Sequence, residues 1–144
     1  MQLREVMSQA QGCREDDTAQ SCARFMKEQN VGFAPICNQA GEPVGAITDR
    51  DLAIRVLADG RPAGTPISQV MTRDVVSCRL DDDLEEAKRL MRERRLSRIM
   101  VCDEQGRLQG VVALADLTDL DSEEEIGQTL QEVKSDSEQQ PTAH

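Results

Sequence analysis

Tryptophan and tyrosine are absent, phenylalanine occurs only at Phe25 and Phe33, and the single histidine is His144, the last of 144 residues. Without aromatic platforms the chain is a poor candidate for stacking single-stranded nucleic acid. A net charge of −10 points the same way, because the phosphate backbone rewards excess Lys and Arg. A terminal histidine leaves a Ser-His-Asp triad, a Cys-His dyad or a His-rich zinc site without its base or ligand. Long apolar runs are missing too: no window reaches the ~18 residues of a membrane span, and Met1-Gln2-Leu3-Arg4-Glu5 does not open a signal peptide. The expectations are a soluble, cytoplasmic protein with no nucleic-acid partner, no membrane partner and no metal. Cys13, Cys22, Cys37, Cys78 and Cys102 form no Cys-x-x-Cys and are odd in number, which suits reduced, buried thiols better than a disulfide framework. Large apolar residues are also scarce. Leu, Ile, Val and Phe make only about a fifth of the chain, so the core is economical or completed by a partner.

What the chain does contain is an internal repeat. Asp16 to Leu52 aligns without a gap on Asp81 to Leu117, with identities at Asp16/Asp81, Asp17/Asp82, Arg24/Arg89, Met26/Met91, Glu28/Glu93, Cys37/Cys102, Gly41/Gly106, Gly45/Gly110, Asp51/Asp116 and Leu52/Leu117. Upstream, Val6-Met7-Ser8 matches Val70-Met71-Thr72 with a one-residue offset. Each copy reads as strand, helix, strand, strand, helix. In the second copy Val75 to Cys78 is a strand, Asp82 or Asp83 caps a helix with Leu84, Ala87, Leu90 and Met91 on one stripe, and Ser97 to Cys102 and Leu108 to Ala113 form a hairpin around Asp103-Glu104-Gln105-Gly106. The first copy repeats the hairpin around Asn38-Gln39-Ala40-Gly41 and ends in a helix over Asp49 to Ala58. The resulting division is 1–59 for the first motif, 60–66 for a Pro- and Gly-rich linker, 67–120 for the second motif and 121–144 for an acidic, disordered tail.

Val31-Gly32-Phe33-Ala34-Pro35-Ile36-Cys37 and Val44-Gly45-Ala46-Ile47-Thr48-Asp49-Arg50-Asp51-Leu52, with Val-Met near the start of each copy and Asp-Asp before its first helix, resemble the cystathionine beta-synthase (CBS) domain family. The resemblance covers about residues 1 to 120. It implies a fold of the α/β (α+β) class in which two βαββα repeats pack about a pseudo-twofold axis as a Bateman module. It further implies a homodimer and adenosine nucleotides bound in clefts between motifs. Thr48 would then serve phosphate, Asp51 would accept from the ribose hydroxyls, and Arg50 would contact phosphate or a neighbouring charge. Gly12, Cys13, Ala34 and Pro35 would form the slot for the base. A second, weaker cleft would hold Asp116, Met100 and Cys78. There Ala113 stands in place of Thr48, and Met100 in place of Pro35.

The same residues have a purely structural reading. Thr48-Asp49-Arg50-Asp51 also satisfies the Ser/Thr-x-x-acid capping box, in which both side chains serve only helix-terminal amides. The run of Arg89, Arg92, Arg94, Arg95 and Arg98 reads either as a solvated face paired with Glu85, Glu86 and Glu93 or as a site for anions or an acidic partner. The leading functional expectation is a stand-alone regulatory module, not an enzyme. It requires no cofactor, senses AMP, ADP or ATP, or an S-adenosyl ligand, and acts on a protein partner the sequence does not name. The alternative is a ligand-independent dimeric interaction or stress-associated protein, while an enzyme using Cys13 or Cys78 is disfavoured by the missing internal histidine. Sedimentation should show a species of twice the 16.0 kDa chain mass. A monomer that persists across the micromolar range contradicts the expected homodimer.

Overall fold

The computed structural model describes residues 1–117. The acidic segment 121–144 and the weak amphipathic pattern of Ile126, Leu130 and Val133 lie outside the described residues. In chain order the elements are a 3-10 turn at Leu3–Glu5, β1 (Ser8–Gln9), β2 (Cys13–Arg14), α1 (Ala19–Gln29), β3 (Phe33–Cys37), β4 (Pro43–Thr48) and α2 (Asp49–Leu52). The last of these widens into a π-helical stretch, Ala53–Ala58. After a second 3-10 turn at Ile67–Gln69 come β5 (Ser77–Arg79), α3 (Leu84–Arg94), β6 (Arg98–Cys102), β7 (Leu108–Ala113) and a third 3-10 turn, Leu114–Leu117. The mixed α+β class is present; the first copy follows the expected strand, helix, strand, strand, helix order, while the second closes, within the described residues, in the 3-10 turn Leu114–Leu117 where a helix was expected. The second-copy strand starts at Ser77, two residues later than the apolar pair Val75-Val76 suggests.

Local chemistry sets these boundaries. Thr18 caps α1 by accepting from the Ser21 N–H at 3.1 Å, and Asp83 caps α3 by accepting from the Glu85 N–H at 3.0 Å. The hairpins turn at Gly41 and Gly106, whose φ values of 84° and 81° favour a residue without a Cβ. Both helices present short apolar stripes inward: Ala19, Cys22 and Met26 from α1, and Leu84, Ala87 and Met91 from α3.

The chain divides into two compact units, and this division crosses the sequence repeat. Among the described residues, one unit is Gln11–Val75; the other joins Met1–Ala10 to residues 76–117. In the Gln11–Val75 unit, β2 lies parallel to β3 and β3 antiparallel to β4, around a core containing Ile36, Ile47, Val56 and Ile67. In the other unit the order is β1-β7-β6-β5, around a core containing Leu3, Ile99, Val101, Val112 and Leu117.

Each unit is thus completed by the opening segment of the other copy, through equivalent bonds. The Leu3 N–H donates to the Asp82 carbonyl at 3.0 Å, as the Ile67 N–H does to the Asp17 carbonyl at 2.8 Å. The Leu84 N–H donates to the Met1 carbonyl at 2.9 Å, as the Ala19 N–H does to the Thr65 carbonyl at 2.8 Å. Ser8 pairs with Val111, and Thr72 bridges Ala46. This crossing explains the repeated Gly45 and Gly110. A Cβ at Gly110 would lie 2.6 Å from the Ser8 carbonyl oxygen, and one at Gly45 would lie 2.8 Å from that of Thr72.

Leu3 is fully buried in the core of the 76–117 unit. Leu3→Ala should therefore cost about 2–5 kcal/mol, the range for truncating a buried leucine. Amide exchange should accelerate in β6 and β7 while β3 and β4 keep their protection. Acceleration confined to β3 and β4 contradicts the division.

Candidate functional site

The end of β4 gathers the chemistry expected of a ligand site. Thr48 is the last residue of the strand and the N-cap of α2, with extended backbone angles of −110° and 165°. Its Oγ1 accepts from the Asp51 N–H at 3.1 Å, and Asp51 Oδ2 accepts from the Thr48 N–H at 3.0 Å, so the capping box is closed. This arrangement uses only part of each side chain. A threonine hydroxyl that accepts a hydrogen bond still has its proton to donate. Asp51 Oδ1, on a side chain 23% exposed, meets the Arg55 guanidinium at 3.8 Å.

Arg55 was not among the residues singled out from the sequence. Its Nη1 donates to the Val70 carbonyl at 2.8 Å and to Thr72 Oγ1 at 3.3 Å, so it ties the capped junction to the segment that completes the sheet. The signal available in the sequence was its spacing four residues after Asp51 within a helix. Leu120 stands at the equivalent position of the second copy.

The other expected site residues fall into two groups. Gly12 and Pro35 lie side by side: a Cβ on Gly12 would come 2.8 Å from the Pro35 carbonyl oxygen. Pro35 pairs with Ala46 and sits two residues along β3 from Phe33, the partner of Thr48, or about 7 Å at the usual strand rise. Pro35 is buried at the middle of β3 with Gly12 packed against its carbonyl, and Thr48 closes the neighbouring strand beside Phe33. Ala34 and Cys13 are buried as well, at 0% and 5% exposure, in the core of the same unit. Arg50 is exposed, with its N–H donating to Asp49 Oδ1 at 2.8 Å.

In the second unit the Ala113 N–H donates to Asp116 Oδ2 at 2.9 Å, so the carboxylate half of the cap persists without the hydroxyl half. Met100 and Cys78 are buried there, and burial, aided by Asp82 and Glu86, pushes the Cys78 thiol up to about 11. On α3, Arg89 is bridged by Glu86 and Glu93, as the surface-pairing reading requires. Among the described residues no group of three or more His, Cys, Asp or Glu side chains could hold a metal ion, and no helix is long and apolar enough to cross a membrane.

Two copies of one strand, helix and hairpin unit, each ending in a carboxylate-capped junction, define a tandem α+β repeat module. The chain belongs to the CBS domain family: the CBS domain model matches residues 3–58 and again 67–123. It is 42% identical over 102 residues to the CBS domain-containing protein YhcV of Bacillus subtilis, an alignment covering 71% of each chain. Two longer curated relatives, 33% and 30% identical, are spanned over 52% and 28% of their length. Among solved structures, the chain is similar to the CBS domain protein PAE2072 from Pyrobaculum aerophilum complexed with AMP. That match has a TM-score of 0.73 at 20% identity and covers 94% of this chain and 99% of that one. It is also similar to the CBS domain pair of protein MJ0100 in complex with 5′-methylthioadenosine and S-adenosyl-L-methionine, with a TM-score of 0.70 at 24% identity over 83% and 94%. Both likenesses are of fold.

The two caps make a paired prediction. Asp51→Ala and Asp116→Ala each strip the acceptor from one strand-end N–H and should each lower stability by about 0.5–2 kcal/mol, the scale of a lost cap. Urea melts of the two variants check this, and a neutral Asp116→Ala contradicts the capping role.

Proposed function

We propose that the chain is a regulatory, non-catalytic CBS pair that binds an adenosine nucleotide at the β4 end of the Gln11–Val75 unit and changes its packing or partner affinity in response. The observation that carries the proposal is the unspent chemistry of the cap. Thr48 keeps a hydroxyl proton for a phosphate oxygen, and Asp51 Oδ1, which meets Arg55 only at an ion-pair distance of 3.8 Å, can accept from ribose hydroxyls. The AMP-bound and S-adenosyl-bound relatives of the same fold support this choice of ligand class. AMP, ADP and ATP are the candidate ligands. The second cleft, with Asp116, Met100 and Cys78, lacks the hydroxyl and is the weaker binder. A ligand acts here only through different affinity for two conformations, and no cofactor is required.

The homodimer belongs to the same proposal. Ile54 and Leu57, at 49% and 79% exposure on the helix that follows Thr48, are large apolar side chains suited to burial against a second copy. One observation favours the ligand-independent reading: the capping box is complete without any ligand.

Calorimetric titration with AMP, ADP, ATP and S-adenosylmethionine separates the two. Saturable binding is expected for at least one nucleotide. Asp51→Asn should weaken it by about 1–3 kcal/mol, the worth of a charge-assisted hydrogen bond, and Asp116→Asn by less. An absence of saturable heat across the set, or undiminished binding by Asp51→Asn, contradicts the nucleotide site.

A further inference from the structure

One end of the Arg55 guanidinium is anchored and the other faces the cap. Its Nη1 donates to the Val70 carbonyl at 2.8 Å and to Thr72 Oγ1 at 3.3 Å. Its Nη2 stands 3.8 Å from Asp51 Oδ1, the two side chains being 42% and 23% exposed. That separation exceeds a direct N–H···O hydrogen bond of about 2.7–3.2 Å, and it is a width that one oxygen atom spans by bonding to both sides. The two groups also make different demands on that oxygen. A carboxylate only accepts and a guanidinium only donates, so the bridging group must both donate and accept. A hydroxyl does both. An ionised phosphate oxygen only accepts, and it meets like charge at Oδ1. A ligand hydroxyl that takes the place of water in this gap reproduces both of the water's hydrogen bonds.

We propose that Arg55 is a ribose-binding residue: one ribose hydroxyl bridges the gap, donating to Asp51 Oδ1 and accepting from Arg55 Nη2, so that the site selects ribonucleotides over their deoxy counterparts. The inference rests on the nucleotide reading of this junction and adds to it a second sugar contact, from a residue outside the cap. Capping and ribose binding do not compete, because Asp51 Oδ2 serves the Thr48 N–H while Oδ1 faces the arginine. The anchor gives the contact its value. A guanidinium already held at Nη1 loses little further freedom when Nη2 engages a ligand, so the donor is preorganised. The second copy supplies the contrast. It keeps the carboxylate at Asp116, whereas the position equivalent to Arg55 is Leu120, whose side chain has no donor. A ribose hydroxyl there would find an acceptor alone.

The test titrates the full chain by calorimetry with AMP, ADP and ATP, each beside its 2′-deoxy and 3′-deoxy counterparts. The same series is run on Arg55→Met, which keeps the length of the side chain and removes its donors. For a nucleotide that binds the wild type, at least one deoxy counterpart should bind about tenfold or more weakly, the scale of a hydrogen bond to a charged group. In Arg55→Met that ratio should shrink by about threefold or more, because the hydroxyl keeps only its bond to Asp51. A merely structural arginine, acting through Val70 and Thr72, would weaken ribo and deoxy forms alike. An unchanged ratio therefore overturns the proposal. Arg55→Gln is read in the same way and replaces Arg55→Met if that variant does not fold. Equal wild-type affinity for ribo and both deoxy forms also overturns the proposal, while leaving a nucleotide site in place. No saturable binding of any nucleotide overturns the nucleotide reading, and this inference with it.

Discussion

Backbone hydrogen bonds at the start of each copy govern the architecture. A short strand such as β1 or β2 cannot stand alone, because two residues bury too little surface to offset the entropy of ordering them. Here the opening segment of each copy is held by a fully buried apolar residue, Leu3 in one unit and Ile67 in the other, and by backbone bonds flanking it. That commitment decides which sheet receives which segment. It also places Gly45 and Gly110 where only a hydrogen fits beneath the crossing chain.

The candidate site depends on the same arrangement. Arg55 reaches from beside Asp51 to the Val70 carbonyl and Thr72 Oγ1, so the capped junction and the segment that completes its sheet are held by one guanidinium. In the second copy the carboxylate cap survives at Asp116, while the threonine has become alanine and the arginine position leucine. One copy retains the polar groups a nucleotide would use, and the other retains what folding needs. Asp51 and Asp116 share the capping role, and the copies differ in the threonine and arginine that stand beside it.

Much of the fold was legible because the repeat carries its own punctuation. The hairpin glycines, the capping residues and the inward stripes of α1 and α3 each follow from local chemistry that the sequence displays directly. The crossing was not legible. Val6-Met7-Ser8 and Val70-Met71-Thr72 are near copies, so nothing in their composition says which of two similar sheets each one joins. At the site, Gly12 and Pro35 came only from the resemblance to the family, whereas Thr48 and Asp51 could be found by their cap pattern. Which way Cys13 and Ala34 face could not, because strand alternation in a two-residue or fully buried strand gives no polar side to read. Arg55 was missed because its partners, Val70 and Thr72, are remote in sequence.

The most direct measurement of the account is a nuclear Overhauser experiment on the methyl groups of Leu3. Cross-peaks to methyls of the core containing Leu84, Ile99 and Val112 are predicted, because that is the cluster in which Leu3 is buried. Cross-peaks to Ile36, Ile47 or Ile67, in the core of the Gln11–Val75 unit, would contradict the segment exchange on which the sheets and the candidate site rest.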